Sequence, residues 1–112
     1  MRKVTKTDFN KFKAAFLDLY NQLGLCEYRI TFQQTKLEGG TYAEIYCYEE
    51  SKSAIVRLTT CVDSVEKMNP VTAGKHEAIH LLHSKLENLR LAADVLFQDE
   101  IESVTRKLET LL

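Results

Sequence analysis

Paired cysteines, proline and long apolar runs are what this sequence has least of, and each scarcity removes a class of protein. The three cysteines, Cys26, Cys47 and Cys61, are an odd set without C-x-x-C spacing. That speaks against a disulfide framework or a cysteine metal site. They read as reduced thiols of a cytoplasmic chain, with Cys47 and Cys61 acting as small hydrophobes in strand-like segments. The longest apolar runs are only a few residues, so no segment is expected to span a bilayer. The opening MRKVTKTD is basic but no apolar stretch follows it, and it does not read as a secretory signal. Neither charge sign dominates: Lys+Arg 15 against Asp+Glu 16 leaves a formal charge of -1. No basic stripe is offered to nucleic acid or to an anionic membrane surface. Proline occurs once, at Pro70, and the only glycine pair is Gly39-Gly40. No repeat, linker or low-complexity stretch divides the chain. With 112 residues, 45% of them hydrophobic and 28% charged, residues 1–112 are expected to form one domain around one core.

The periodicity changes twice along the chain. From Thr7 to Leu23, Phe9, Phe12, Phe16, Leu19 and Leu23 recur at three- and four-residue steps. This spacing predicts a helix with one apolar stripe, with Thr7 as a cap and Gly24 as its stop. Tyr28, Ile30 and Phe32 then alternate with polar residues, the pattern of a half-buried strand. Thr41 to Tyr48 and Ala54 to Thr60 are two more such runs, joined by the polar stretch 49–53 as a hairpin loop. A mostly antiparallel sheet of three strands follows from these runs. Asn69-Pro70 resembles an N-cap with proline at the first helical position. The apolar side Ile79, Leu82, Leu86, Leu89 predicts a helix to about Arg90. A separate last helix is expected from roughly Phe97 to Leu111. The fold class is α+β: N-terminal helix, three strands, two helices.

All the histidines of the chain lie in one stretch, Lys75-His76-Glu77-Ala78-Ile79-His80-Leu81-Leu82-His83. On a helix His76 and His80 project the same way one turn apart and can close on one metal ion. Glu77 stands about a hundred degrees around the helix, where it can serve a metal-bound water without being a ligand. Zinc lowers the pKa of such a water towards neutrality, and the carboxylate takes its proton during attack on a carbonyl. Catalytic zinc needs a third protein ligand. His83 sits a further turn along the axis, too far to join the same ion, and reads as a residue supporting a ligand, as a cleft residue, or as simply exposed. On the last helix Glu100 lies at the edge of the apolar stripe, where a buried carboxylate needs a partner; Glu102 is the runner-up.

These residues resemble the gluzincin metallopeptidases, whose zinc is held by the two histidines of HExxH and a glutamate from a following helix. In thermolysin-like members that glutamate comes about twenty residues after the second histidine, as Glu100 does after His80. The acidic residue that follows it by four positions in the family is Val104 here, so support for a histidine ligand would fall to Ser103 or a backbone carbonyl. Over most of its length the chain is also similar to small zincins encoded by bacteriophages and prophages. The shared features are Leu23-Gly24-Leu25 before an aromatic strand, the HExxHLL helix, and a Glu-rich last helix with Leu108-Glu109. The resemblance implies a minimal zincin: His76, His80 and Glu100 holding Zn2+, Glu77 as general base, and a peptide or protein substrate. It implies that Ala54 to Leu58 lies along the cleft and pairs with extended substrate. His83, Tyr42, Tyr46 and Tyr48 are candidates to stabilise the transition state, with at least two of the tyrosines serving sheet packing instead. Two other readings remain: a zinc-stabilised interaction domain of a phage or mobile element that cuts nothing, and a metal-free interaction module. Oligomeric state is left open by the sequence.

Overall fold

In the computed structural model, which describes residues 2–64 and 68–111, a short strand β1 (Arg2–Lys3) leads into helix α1 (Lys6–Gln22). Thr5 caps α1, rather than Thr7. Its hydroxyl accepts from the Asp8 N–H at 3.1 Å while the Asp8 carboxylate accepts from the Thr5 N–H at 3.0 Å. This reciprocal pair satisfies two donors that the first turn leaves free. Beyond Leu23, Gly24 takes φ +71°, the left-handed value that ends helices and that a side chain resists. Tyr20 closes the following turn: its hydroxyl donates to the Tyr28 carbonyl at 2.9 Å and accepts from the Tyr28 N–H at 3.1 Å.

Strands β2 (Arg29–Gln34), β3 (Ala43–Tyr48) and β4 (Ser53–Leu58) form the sheet. Its order is β2-β4-β3, with β3 antiparallel and β2 parallel to the central β4. The sheet is therefore mixed, not mostly antiparallel. The hairpin loop sets the first pairing, but the chain from β2 to β3 passes β4's place and leaves β2 parallel to it. A two-residue β5 (Cys61–Val62) pairs with β1.

The strand period of two gives the sheet two unlike faces. Ile30, Phe32, Ala43, Ile45, Cys47, Ala54, Val56 and Leu58 face the helices and join Phe12, Phe16 and Tyr20 in the core. Phe16 meets Phe32 edge-on at 5.4 Å between ring centroids. The outer face is tied across all three strands by Arg57. This side chain donates to Gln33 at 2.8 Å and to Glu44 at 3.3 Å, and lies over the Tyr46 ring.

The largest departure from expectation is at the C-terminal side. Pro70 to Leu111 is a single helix, α2, of 42 residues. No proline or glycine lies between Arg90 and Phe97, and Leu91-Ala92-Ala93-Asp94-Val95-Leu96 contains good helix formers, so nothing stops the helix there. Asn69 caps it, accepting from the Thr72 N–H at 3.0 Å. Its first four turns pack on α1 and β3. Gly74 marks the crossing, where the Phe12 carbonyl and the Phe16 nitrogen come against its backbone. Its remainder leaves the molecule. The principal extents are 73 × 28 × 21 Å and the radius of gyration is 20.1 Å, against about 13 Å for a compact chain of this length. No helix among the described residues is long and apolar enough to cross a membrane.

Candidate metal centre

The site is built by one turn of α2 laid against the edge of the sheet. Ala78 and Leu81 on the inner side of that turn are fully buried in the core, which fixes the rotation of the helix. Residues one position to either side then have no choice of direction. Glu77 is carried inward, 5% exposed, while His76 and His80 project from the flank into an open cleft. Across it stand Ala43, Glu44, Ile45 and Cys47 of β3.

The two imidazoles meet one another in a hydrogen bond. Their Nε2 atoms are 2.8 Å apart and their rings are T-shaped with centroids 4.5 Å apart. With one oxygen of Glu77 they make a group whose ligand atoms all lie within 4.8 Å of one another. Two imidazole nitrogens and a carboxylate oxygen are the donor types zinc takes, so the residues present fit such an ion. Burial pushes the Glu77 carboxyl above its ordinary pKa; His76 beside it pulls the other way, and Glu44 across the cleft adds to the rise. A carboxylate with raised proton affinity is better suited to take and return a proton than an ordinary one.

The other expected site residues fare differently. Glu100 is not brought to the histidines. It stands on the same unbroken helix, and twenty residues of α-helix amount to about 30 Å. Glu102 is removed for the same reason. A third ligand from a following helix needs a reversal of the chain, and none occurs between Arg90 and Phe97. His83 is exposed and lies outside the ligand group. Tyr46 and Tyr48 sit on the outer sheet face, exposed. Tyr42 lines an adjoining hollow that shares Ala43, His76 and Glu77 with the cleft but not His80. Its hydroxyl is buried with no hydrogen-bond partner among the described residues, and burial pushes its pKa up to about 12, with Asp8 adding to the rise. Ala54 to Leu58, expected along the cleft, is the central strand β4, its edges both occupied by β2 and β3. The strand bordering the histidines is β3, whose outer edge pairs with no other strand among the described residues. Glu44 was not anticipated at the cleft; the alternation of β3 alone could not show which edge of the sheet the helix would choose.

No family model matches the chain, and neither does any curated protein or solved structure. The functional reading therefore rests on this geometry.

Proposed function

We propose that this domain binds one zinc ion through His76 and His80, two of the three protein ligands a catalytic zinc takes, and hydrolyses peptide bonds, with Glu77 as the general base. The observation that carries the reading is the convergence of the two Nε2 atoms and the Glu77 carboxylate at the mouth of a cleft. A bound zinc ion supplies a Lewis acid there, polarising a carbonyl and acidifying water. The chain's own residues do the rest. Glu77, held by burial at a raised proton affinity, accepts a proton and returns it to the leaving amine. The unpaired edge of β3 presents backbone N–H and C=O groups beside the histidines and can align an extended peptide by adding it as a further strand. The Tyr42 hydroxyl, buried with no hydrogen-bond partner among the described residues, would have to turn out of its packing to donate to a polarised carbonyl.

Among the described residues only Glu77 joins the two histidines in the ligand group. This favours one second reading, in which Glu77 is itself a ligand and the ion is structural. Metal content by mass spectrometry, on the native chain and on His76→Ala with His80→Ala, comes first. About one zinc per chain, lost in the double variant, is expected; no metal after incubation with zinc removes both readings. Glu77→Gln then divides them. Zinc retained with peptide hydrolysis lost supports the general base, whereas zinc lost assigns Glu77 as ligand.

A further inference from the structure

From Leu86 to Thr110 every residue of α2 except Ser103 is exposed. A helical stretch with no packed face lacks the main source of helical stability in proteins, the burial of an apolar side. This one has such a side and leaves it bare: Leu86, Leu89, Phe97, Ile101, Val104 and Leu108 are each at least 45% exposed. Patches of this extent on a soluble chain mark an interface.

We propose that the covering partner is a second copy of this chain, with the two α2 helices paired antiparallel about Val95. From Leu82 to Leu108 the apolar positions step by 4, 3, 4, 4, 4, 3 and 4 residues. The series reads the same in both directions, so reversing one helix lays its stripe in register on the other. Leu86 then meets Val104, Leu89 meets Ile101, and at the centre small Ala93 meets large Phe97, the alternation that fills a helix–helix seam. A parallel pair would stack Phe97 on Phe97 and leave a gap at Ala93.

In the turns that pack on the head, Glu77 and Leu81 point inward and Leu82 is half-buried against the core, while Ile79 and, just beyond those turns, Leu86 are exposed. The paired stretch covers about 39 Å of helix, and burying its six large side chains with their flanking stems removes on the order of 800 Å² per partner, the size of a specific interface. The pairing does not depend on the metal reading.

The experiment is sedimentation of the native chain at tens of micromolar, followed by a distance measurement between spin labels. A dimer is expected for the native chain and a monomer for Leu89→Glu with Ile101→Glu. A native monomer overturns the proposal. For orientation, a nitroxide is placed at Glu109→Cys in a chain whose three cysteines are alanine. The antiparallel dimer separates the labels by twenty-eight residues of helix, about 42 Å. A separation below about 25 Å, set by side-by-side helices 8–10 Å apart plus the label arms, means a parallel pair and overturns it too. Should the labelled chain fail to dimerise, Ala93→Leu in the native background decides: the antiparallel seam sets the added side chain against Phe97 and about tenfold weaker dimerisation is expected, whereas unchanged or tighter dimerisation overturns the antiparallel arrangement.

Discussion

Ser84, on the long helix, donates a hydrogen bond of 2.7 Å to the carboxylate of Glu49 in the hairpin loop, 35 residues earlier in the chain. The other carboxylate oxygen accepts from the Tyr28 hydroxyl at 2.6 Å and from Lys52 at 3.2 Å. One half-buried carboxylate thus joins the turn before β2, the hairpin loop and α2, and it holds the helix at the depth where its histidines clear the sheet.

The junction predicts a pH dependence. Burial alone would raise the Glu49 pKa, but the hydrogen bonds from Tyr28, Ser84 and Lys52 outweigh it and hold the carboxyl below its ordinary 4.5. A group depressed in the folded state stabilises it above the unfolded pKa, and that contribution disappears as pH falls through the folded value. Denaturation midpoints are therefore expected to fall as pH drops below about 4.5, and the slope is expected to flatten in Glu49→Gln. Equal slopes in the two proteins would show the junction to be energetically idle.

Gly74 is there for the helix crossing. A Cβ at this position collides with the Phe12 carbonyl oxygen and stands 3.0 Å from the Phe16 nitrogen. Both are backbone atoms that no rotamer change can move. Gly74→Ala is expected to cost about 1–3 kcal/mol by forcing the helices apart, even though alanine favours an isolated helix. Urea denaturation measures it; a gain in stability would mean that α1 and α2 cross further apart than the structure places them.

Tyr42 separates stability from activity. Its buried hydroxyl lacks a partner among the described residues, and such a group costs about 1–3 kcal/mol of desolvation. Tyr42→Phe is expected to raise the melting temperature. If the hydroxyl assists hydrolysis, the same variant loses kcat with little change in KM. A melting temperature that falls would mean the hydroxyl already has a partner in solution.

Zinc itself provides a stability assay that needs no substrate. An ion that binds only the folded chain stabilises it by about 2.7 kcal/mol at a hundred times its dissociation constant. Thermal scans with added zinc are expected to shift upward in the native chain and not at all in His76→Ala with His80→Ala. An equal shift in both would place the binding elsewhere, for example at the exposed Cys26.

Much of the local structure was legible in the residues. The aromatic stripe of α1, the alternation of the three strands, the hairpin loop and the Asn69-Pro70 helix start each depend on a few neighbouring residues, and each stands near where its pattern puts it. The histidine pair was legible for the same reason: residues four apart on a helix share a face whatever the helix packs against. Tertiary structure decided the rest. The parallel pairing of β2 with β4, and hence the free edge of β3 beside the histidines, depends on where strands distant in sequence come to lie. The fate of Glu100 depends on whether the chain turns back near Arg90. Apolar periodicity is the same in one long helix as in two short ones, so it marks which face is buried and leaves open what buries it. The burial of Ala78 and Leu81 against α1 and the sheet fixes the rotation of α2. That rotation turns Glu77 inward and brings the two imidazole Nε2 atoms within 2.8 Å of one another.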